Sequence, residues 1–123
     1  MADAAILLVA AMFAGMGVLA LLRPAAVLAQ FGVAVETAAG RNEVRAVYGG
    51  FGLAAAALLA VAALDDPATA EGIVVAFAFA LFGMAGGRLL GAIDERPGGL
   101  FPVWVYFAVE IAGGALLLAA VWA

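Results

Sequence analysis

The sequence predicts an all-α integral membrane protein, an antiparallel four-helix bundle with short loops, residues 1–123 forming a single transmembrane domain. Three observations predict it. Hydrophobic residues make up 69% of the chain and charged residues 11%, against about 45–50% and about 25% in soluble domains. That excess excludes a soluble globular domain. It also excludes disorder, which needs few apolar residues and much charge. The apolar residues fall into four runs, each close to the ~20 residues that cross a ~30 Å hydrocarbon core. Turn signals separate the runs, and no connection is long enough to fold on its own.

The first span, 4–22, is an uncharged run closed by Arg23-Pro24. Met1-Ala2-Asp3 is not basic and no small-residue cleavage site follows, so the span reads as a retained anchor rather than a signal peptide. Residues 24–40 are less apolar and hold Gln30 and Glu36. They read as an interfacial connection with a helical piece at 25–31. The second span, 41–64, stops at Asp65-Asp66-Pro67. Asp66 is placed to cap the next helix and Pro67 to occupy its first turn. The third span, 67–93, ends at Asp94-Glu95-Arg96-Pro97-Gly98-Gly99, the strongest turn signal in the chain. The fourth span covers 101–122. Gly52, Ala56 and Ala60 repeat every four residues on the second helix, as do Gly83, Gly87 and Gly91 on the third. In lipid no water drives helices together, so small residues that let backbones approach are the expected packing device.

Orientation follows from loop charge. Arg23, Arg41 and Arg45 lie on or beside the first connection, and Arg88 and Arg96 beside the third. The second connection has Asp65, Asp66 and Glu71 and no cation. The positive-inside rule then sets the first and third connections in the cytoplasm and both termini outside it. Arginines held by a site would be poor witnesses to that rule. Arg without Lys in an Ala- and Gly-rich chain points to a GC-rich bacterial genome, hence to the bacterial inner membrane.

The chain has no Cys, His, Lys or Ser. Thiolate chemistry, imidazole bases, the usual haem, zinc and copper ligands and a serine nucleophile are therefore excluded. No cofactor is expected. A net charge of −4 without a polybasic tail excludes nucleic acid as a partner.

Charged groups inside a bilayer cost about 2.5–3.5 kcal/mol each on insertion scales, so those at depth need a reason. Asp3, Arg23, Glu36, Asp65, Asp66 and Glu71 lie at span edges and need none. Glu110 lies nine residues past Phe101, near the middle of the fourth helix. Arg88 lies five residues before the end of the third span, and Arg45 with Tyr48 opens the lipid-depth part of the second. At about 100° per residue, Arg41, Arg45, Tyr48 and Gly52 share one face of the second helix, and Glu43 points away from it. Tyr106 and Glu110, four apart, share a face of the fourth. Arg45, Arg88 and Glu110 are thus expected to converge beside Tyr48 and Tyr106, with Arg41, Glu43, Asp94 and Glu95 crowding the mouth. Three readings compete: an internal Arg–Glu–Arg clasp that fixes helix register, a polar pocket in which Glu110, Arg45, Arg88 and Tyr48 are the candidate catalytic groups, or exposed charges with no shared role. No metal is expected, because the arginines would compete with a cation.

The segment Arg41-Asn42-Glu43-Val44-Arg45-Ala46-Val47-Tyr48-Gly49-Gly50 resembles the R-x-E-x-R-A-x-Y-G-G signature of a bacterial family of small four-helix membrane proteins, known only as a domain of unknown function. Gly87-Arg88-Leu89-Leu90 with Asp94 and Pro97 is similar to that family's second signature, and Tyr106 with Glu110 to its aromatic–Glu pair. The likeness runs from Gly17 through Arg23-Pro24 to Glu110. Family members often have Gly where this chain has Glu95, which alters the third loop. More distantly the arrangement is similar to the DoxX-like membrane proteins, a mixed group linked to redox and oxidative-stress systems. The resemblance implies a fold and site positions without implying a reaction.

Three functions fit these residues. One is a lipophilic-ligand site, where a carboxylate serves as general acid or base and Arg and Tyr stabilise an oxyanion. It would suit isomerisation, cyclisation or hydration of an isoprenoid, quinone or sterol-like molecule, the partner being membrane lipid or another lipophilic small molecule. The second is an accessory subunit of a larger membrane complex, with a membrane-protein partner or a homo-oligomer, and Trp104 and Trp122 as interface anchors. The third, a carrier of protons or small anions, is weakest, because four short helices enclose little path and no inverted repeat is visible.

Overall fold

The computed structural model describes residues 2–123, and among them helices are joined by turns with no strand. In chain order they are α1 (Asp3–Leu22), α2 (Pro24–Ala29), α3 (Ala38–Val44), a π-helical segment (Arg45–Gly50), α4 (Phe51–Leu64), α5 (Pro67–Asp94) and α6 (Val103–Trp122). Residues 38–64 run on without a break. That stretch and α1, α5 and α6 are each long and apolar enough to cross a membrane. This is a helical membrane protein. The chain divides into two compact units, Leu7–Val61 and Met1–Ile6 with Ala62–Ala123, the boundaries falling within α1 and α4; they are called here the amino-terminal and carboxy-terminal units.

In the amino-terminal unit, α1 packs on the second span through glycine. A Cβ on Gly17 would lie 2.9 Å from Leu53 N and 3.0 Å from Gly49 O. One on Gly52 would lie 3.0 Å from Phe13 O and 3.1 Å from Gly17 Cα. The two backbones therefore touch, and any side chain at these positions would push them apart. Beyond α1 the backbone leaves the helical region at Arg23 (φ −137°, ψ 68°), and Pro24 opens α2 at the position where its missing N–H costs nothing. The chain turns at Gly32, whose φ of +75° suits glycine. Thr37 then caps α3, its Oγ1 accepting from Gly40 N at 2.9 Å. That cap starts the second long helix at Ala38, ahead of Arg41. Ala20, Val27 and Val44 form a small buried core, with Met16, Leu28 and Val35 packed on it. The connection is thereby tied to both long helices of its unit rather than lying loose at an interface.

In the carboxy-terminal unit, Asp66 caps α5 by accepting from Ala68 N at 3.1 Å, with Pro67 at the first helical position. Ala70, Val74, Ala78, Leu81 and Ala85 recur at spacings of three and four and form the buried seam of α5. The matching face of α6 is Glu110, Gly113, Gly114, Leu117 and Ala120. Leu81 and Phe82 fill the notch of the glycine pair: a Cβ on Gly113 would lie 3.2 Å from Leu81 Cδ1, and one on Gly114 2.8 Å from Phe82 Cε1. Phe101–Pro102 is a cis peptide, and α6 starts just after it at Val103.

The expected close approach through the third helix's glycines is not found. A Cβ on Gly83, Gly87 or Gly91 would meet nothing within 4 Å. Gly83 lies two residues from both Leu81 and Ala85, about 200° round the helix. The glycine row is thus on the side of α5 opposite its seam with α6.

Candidate functional site

Arg88 follows Ala85 by three residues, so it continues the α5 seam beyond its last apolar member. Glu110 precedes Gly113 by three and begins the buried face of α6. Antiparallel packing brings the two together. Arg88 Nε donates to both carboxylate oxygens at 2.9 Å, and its Nη2 lies 2.8 Å from Oε1. Glu110 is only 4% exposed, whereas the Arg88 side chain keeps 26% of its surface. The guanidinium carbon stands 5.3 Å from the centre of the Tyr106 ring, within the range of a cation–π contact. Tyr106, one turn before Glu110, also packs its ring on Phe101. Burial in lipid leaves a carboxylate no water to turn to, so a fork-shaped cation is its best partner. Among the described residues no buried polar side-chain atom lacks a partner.

Arg45, the other cation expected beside Glu110, belongs to the amino-terminal unit. Its Nε donates to Leu21 O at 3.1 Å. The last carbonyls of a helix have no partner within it and carry the negative end of its dipole. Arg45 therefore caps the end of α1.

The π turn changes the expected facing of the second span. Phe51 N–H donates to Ala46 O, five residues back. A π turn takes one more residue than an α turn, so residues five apart come into register. Val44 and Gly49, five apart, are both buried. Glu43 and Tyr48, also five apart, line one cleft. Regular α periodicity would set that pair about 140° apart. The expectation that Arg41, Arg45, Tyr48 and Gly52 share a face, with Glu43 turned away, holds in part: Arg45 and Gly52 both meet α1, whereas Tyr48 leaves that face for the one that carries Glu43.

That cleft lies wholly in the amino-terminal unit, has a volume of about 590 Å³ and is open to the outside. Leu28, Val33, Val35, Val44 and Val47 supply most of its apolar lining. Glu36, Thr37, Glu43 and Tyr48 supply its polar groups, and no arginine lines it. Glu36 and Thr37 had no place among the expected site residues. Thr37 was legible as a helix cap just ahead of Ala38; nothing in the pattern around Glu36 sets it apart from a solvated edge charge.

The expected site residues thus divide. Glu110, Arg88 and Tyr106 meet in the carboxy-terminal unit. Glu43 and Tyr48 meet at the cleft in the amino-terminal unit. Arg41 is half-buried on α3, and Asp94 is exposed as the last residue of α5.

Residues 1–121 match a family described as a domain of unknown function, DUF4345. No curated protein and no solved structure matches the chain.

Proposed function

We propose that this chain, which belongs to the DUF4345 family, is a multi-pass bacterial inner-membrane protein that binds a lipophilic small molecule in the cleft beside its π turn. One observation carries the reading. The segment Arg41–Gly50 divides into residues engaged in packing and residues facing the cleft. Arg45 caps α1, Val44 and Gly49 are buried, and Gly49 packs on Leu21. Glu43 and Tyr48 are exposed and line the cleft. Its volume falls within the range of about 300–1,000 Å³ typical of small-molecule sites, which pair an apolar wall with a few polar groups. π turns inside α-helices also recur at functional sites.

In this reading Arg88–Glu110 is a clasp that sets the register of α5 on α6. Any acid–base step, such as isomerisation, cyclisation or hydration of an isoprenoid-, quinone- or sterol-like molecule, falls to Tyr48 and Glu43. The termini lie outside the cytoplasm.

The test is photo-crosslinking of the protein in nanodiscs with a diazirine-bearing dodecanol, followed by peptide mapping. Labels should concentrate within 28–48 and fall away in Val47→Trp, which fills the cleft. Labels spread evenly over the lipid-facing helices, unchanged by Val47→Trp, would overturn the reading.

A second reading, an accessory subunit of a membrane complex, draws on the open glycine row Gly83, Gly87 and Gly91 of α5, which would admit a partner helix closely. A stoichiometric partner co-purifying in mild detergent, lost in Gly87→Leu, would support it.

A further inference from the structure

We propose that the cleft selects single-chain amphiphiles whose head group is a cationic amine. The inference rests on the ligand reading above and narrows it to a charge. Two carboxylates, Glu36 and Glu43, line the cleft, and none of the chain's five arginines does. Arg45, the arginine nearest the π turn's start, is turned to the carbonyl of Leu21. The cleft is therefore a patch of negative charge within a segment otherwise rich in arginine.

The remaining polar groups suit an ammonium as well. A primary alkylammonium brings N–H donors and no acceptor. The two carboxylates are acceptors only, and the hydroxyl oxygens of Tyr48 and Thr37 accept too. Tyr48 also brings an aromatic ring to the lining, a group whose face attracts cations. The hydrocarbon chain would lie on Leu28, Val33, Val44 and Val47. A carboxylate or phosphate head group would instead meet two like charges. A hydroxyl head group can donate one hydrogen bond to a carboxylate but brings no charge to offset either of them.

The experiment is competition against the diazirine-dodecanol probe in phosphatidylcholine nanodiscs at low salt, with dodecylamine, dodecanol and dodecanoate as competitors. Dodecylamine should protect residues 28–48 at a concentration about tenfold lower than dodecanol, a factor equal to ~1.4 kcal/mol. Dodecanoate should be the weakest. In the double variant Glu36→Gln/Glu43→Gln the order of competitors should collapse, dodecylamine protecting no better than dodecanol; both changes are on exposed side chains, and an unchanged melting temperature verifies the fold. Equal protection by dodecanol or dodecanoate, or an amine preference that survives the double variant, overturns the head-group inference and leaves the ligand reading standing. Absence of cleft labelling in the unaltered protein overturns both.

Discussion

Glu110 and Arg88 show how one buried charge constrains its neighbourhood. The carboxylate is 4% exposed and takes both oxygens to the same guanidinium. Breaking such a pair strands the remaining charge, at a cost of about 3–5 kcal/mol for fully buried partners. The Arg88 side chain is about a quarter exposed, so the low end of that range applies. Glu110→Gln should lower the melting temperature in detergent clearly. Glu110→Leu with Arg88→Leu should recover much of the loss, because neither charge is then left alone. Equal destabilisation in the single and double variants would show that the pair is not what holds the seam. Arg45 makes a different contact, a charge-assisted hydrogen bond to Leu21 O at the end of α1. Arg45→Leu should cost about 1 kcal/mol, the scale of a cation at a helix C-terminus, and a melting curve would register it. The Glu110 pairing was legible in the sequence, since mid-helix depth demands a cation and Arg88 lies at the matching end of the preceding helix. The role of Arg45 was not. Its partner is a backbone carbonyl, and backbone carbonyls leave no trace in a residue pattern.

At the scale of elements, the helices and their caps follow from local chemistry, and the failures come from phase and from facing. Asp66 and Pro67 mark a helix start by residue type alone, and the structure uses both there, whereas the second span starts at Ala38 behind the Thr37 cap rather than at Arg41. The π turn has no such marker. Wheel reasoning assumes about 100° per residue, and one extra residue in the turn moves every later side chain relative to the earlier ones. Glu43 and Tyr48 share a cleft for that reason. Glycine spacing is equally blind to facing. Gly52 and Gly87 both belong to four-residue repeats, yet only Gly52 meets another helix. The two should respond oppositely to alanine. Gly52→Ala places a methyl 3.0 Å from the backbone oxygen of Phe13, so α1 must retreat and thermal stability in detergent must drop. Gly87→Ala meets nothing within 4 Å, and replacing an interior helical glycine is worth up to about 1 kcal/mol in propensity. It should leave stability unchanged or raise it. A loss at Gly87 similar to that at Gly52 would mean that the open face of α5 is covered in the native assembly.

For the whole molecule, the structure sharpens which charges bear on topology. Arg45 and Arg88 are engaged, one with a helix end and the other with Glu110. Their positions are fixed by packing, so they testify weakly to orientation. Arg23, Arg41 and Arg96 remain. Arg23 and Arg96 are exposed in connections, and Arg41 is half-buried in the first turns of the second span. Should all four long helices cross, these three would share one side of the membrane, because two spans separate the connections at 23–37 and 95–102. The intervening turn holds Asp65 and Asp66 and no cation. The positive-inside bias therefore survives removal of the arginines that have structural duties. An alkaline phosphatase fused after Ala123, or inserted at Asp65-Asp66, should be active outside the cytoplasm. A fluorescent protein that matures only in the cytoplasm should be dark at both places and bright when inserted at Gly98-Gly99. Reversing the bias should reverse the outcome. Arg23→Glu with Arg96→Glu removes the two exposed cations, and Asp65→Arg with Asp66→Arg supplies two to the opposite side. The combined variant should show a raised cytoplasmic fraction of the C-terminal reporter. If the reporters in the unaltered protein already read the opposite way, then Arg23, Arg41 and Arg96 do not set the topology, and the termini lie in the cytoplasm.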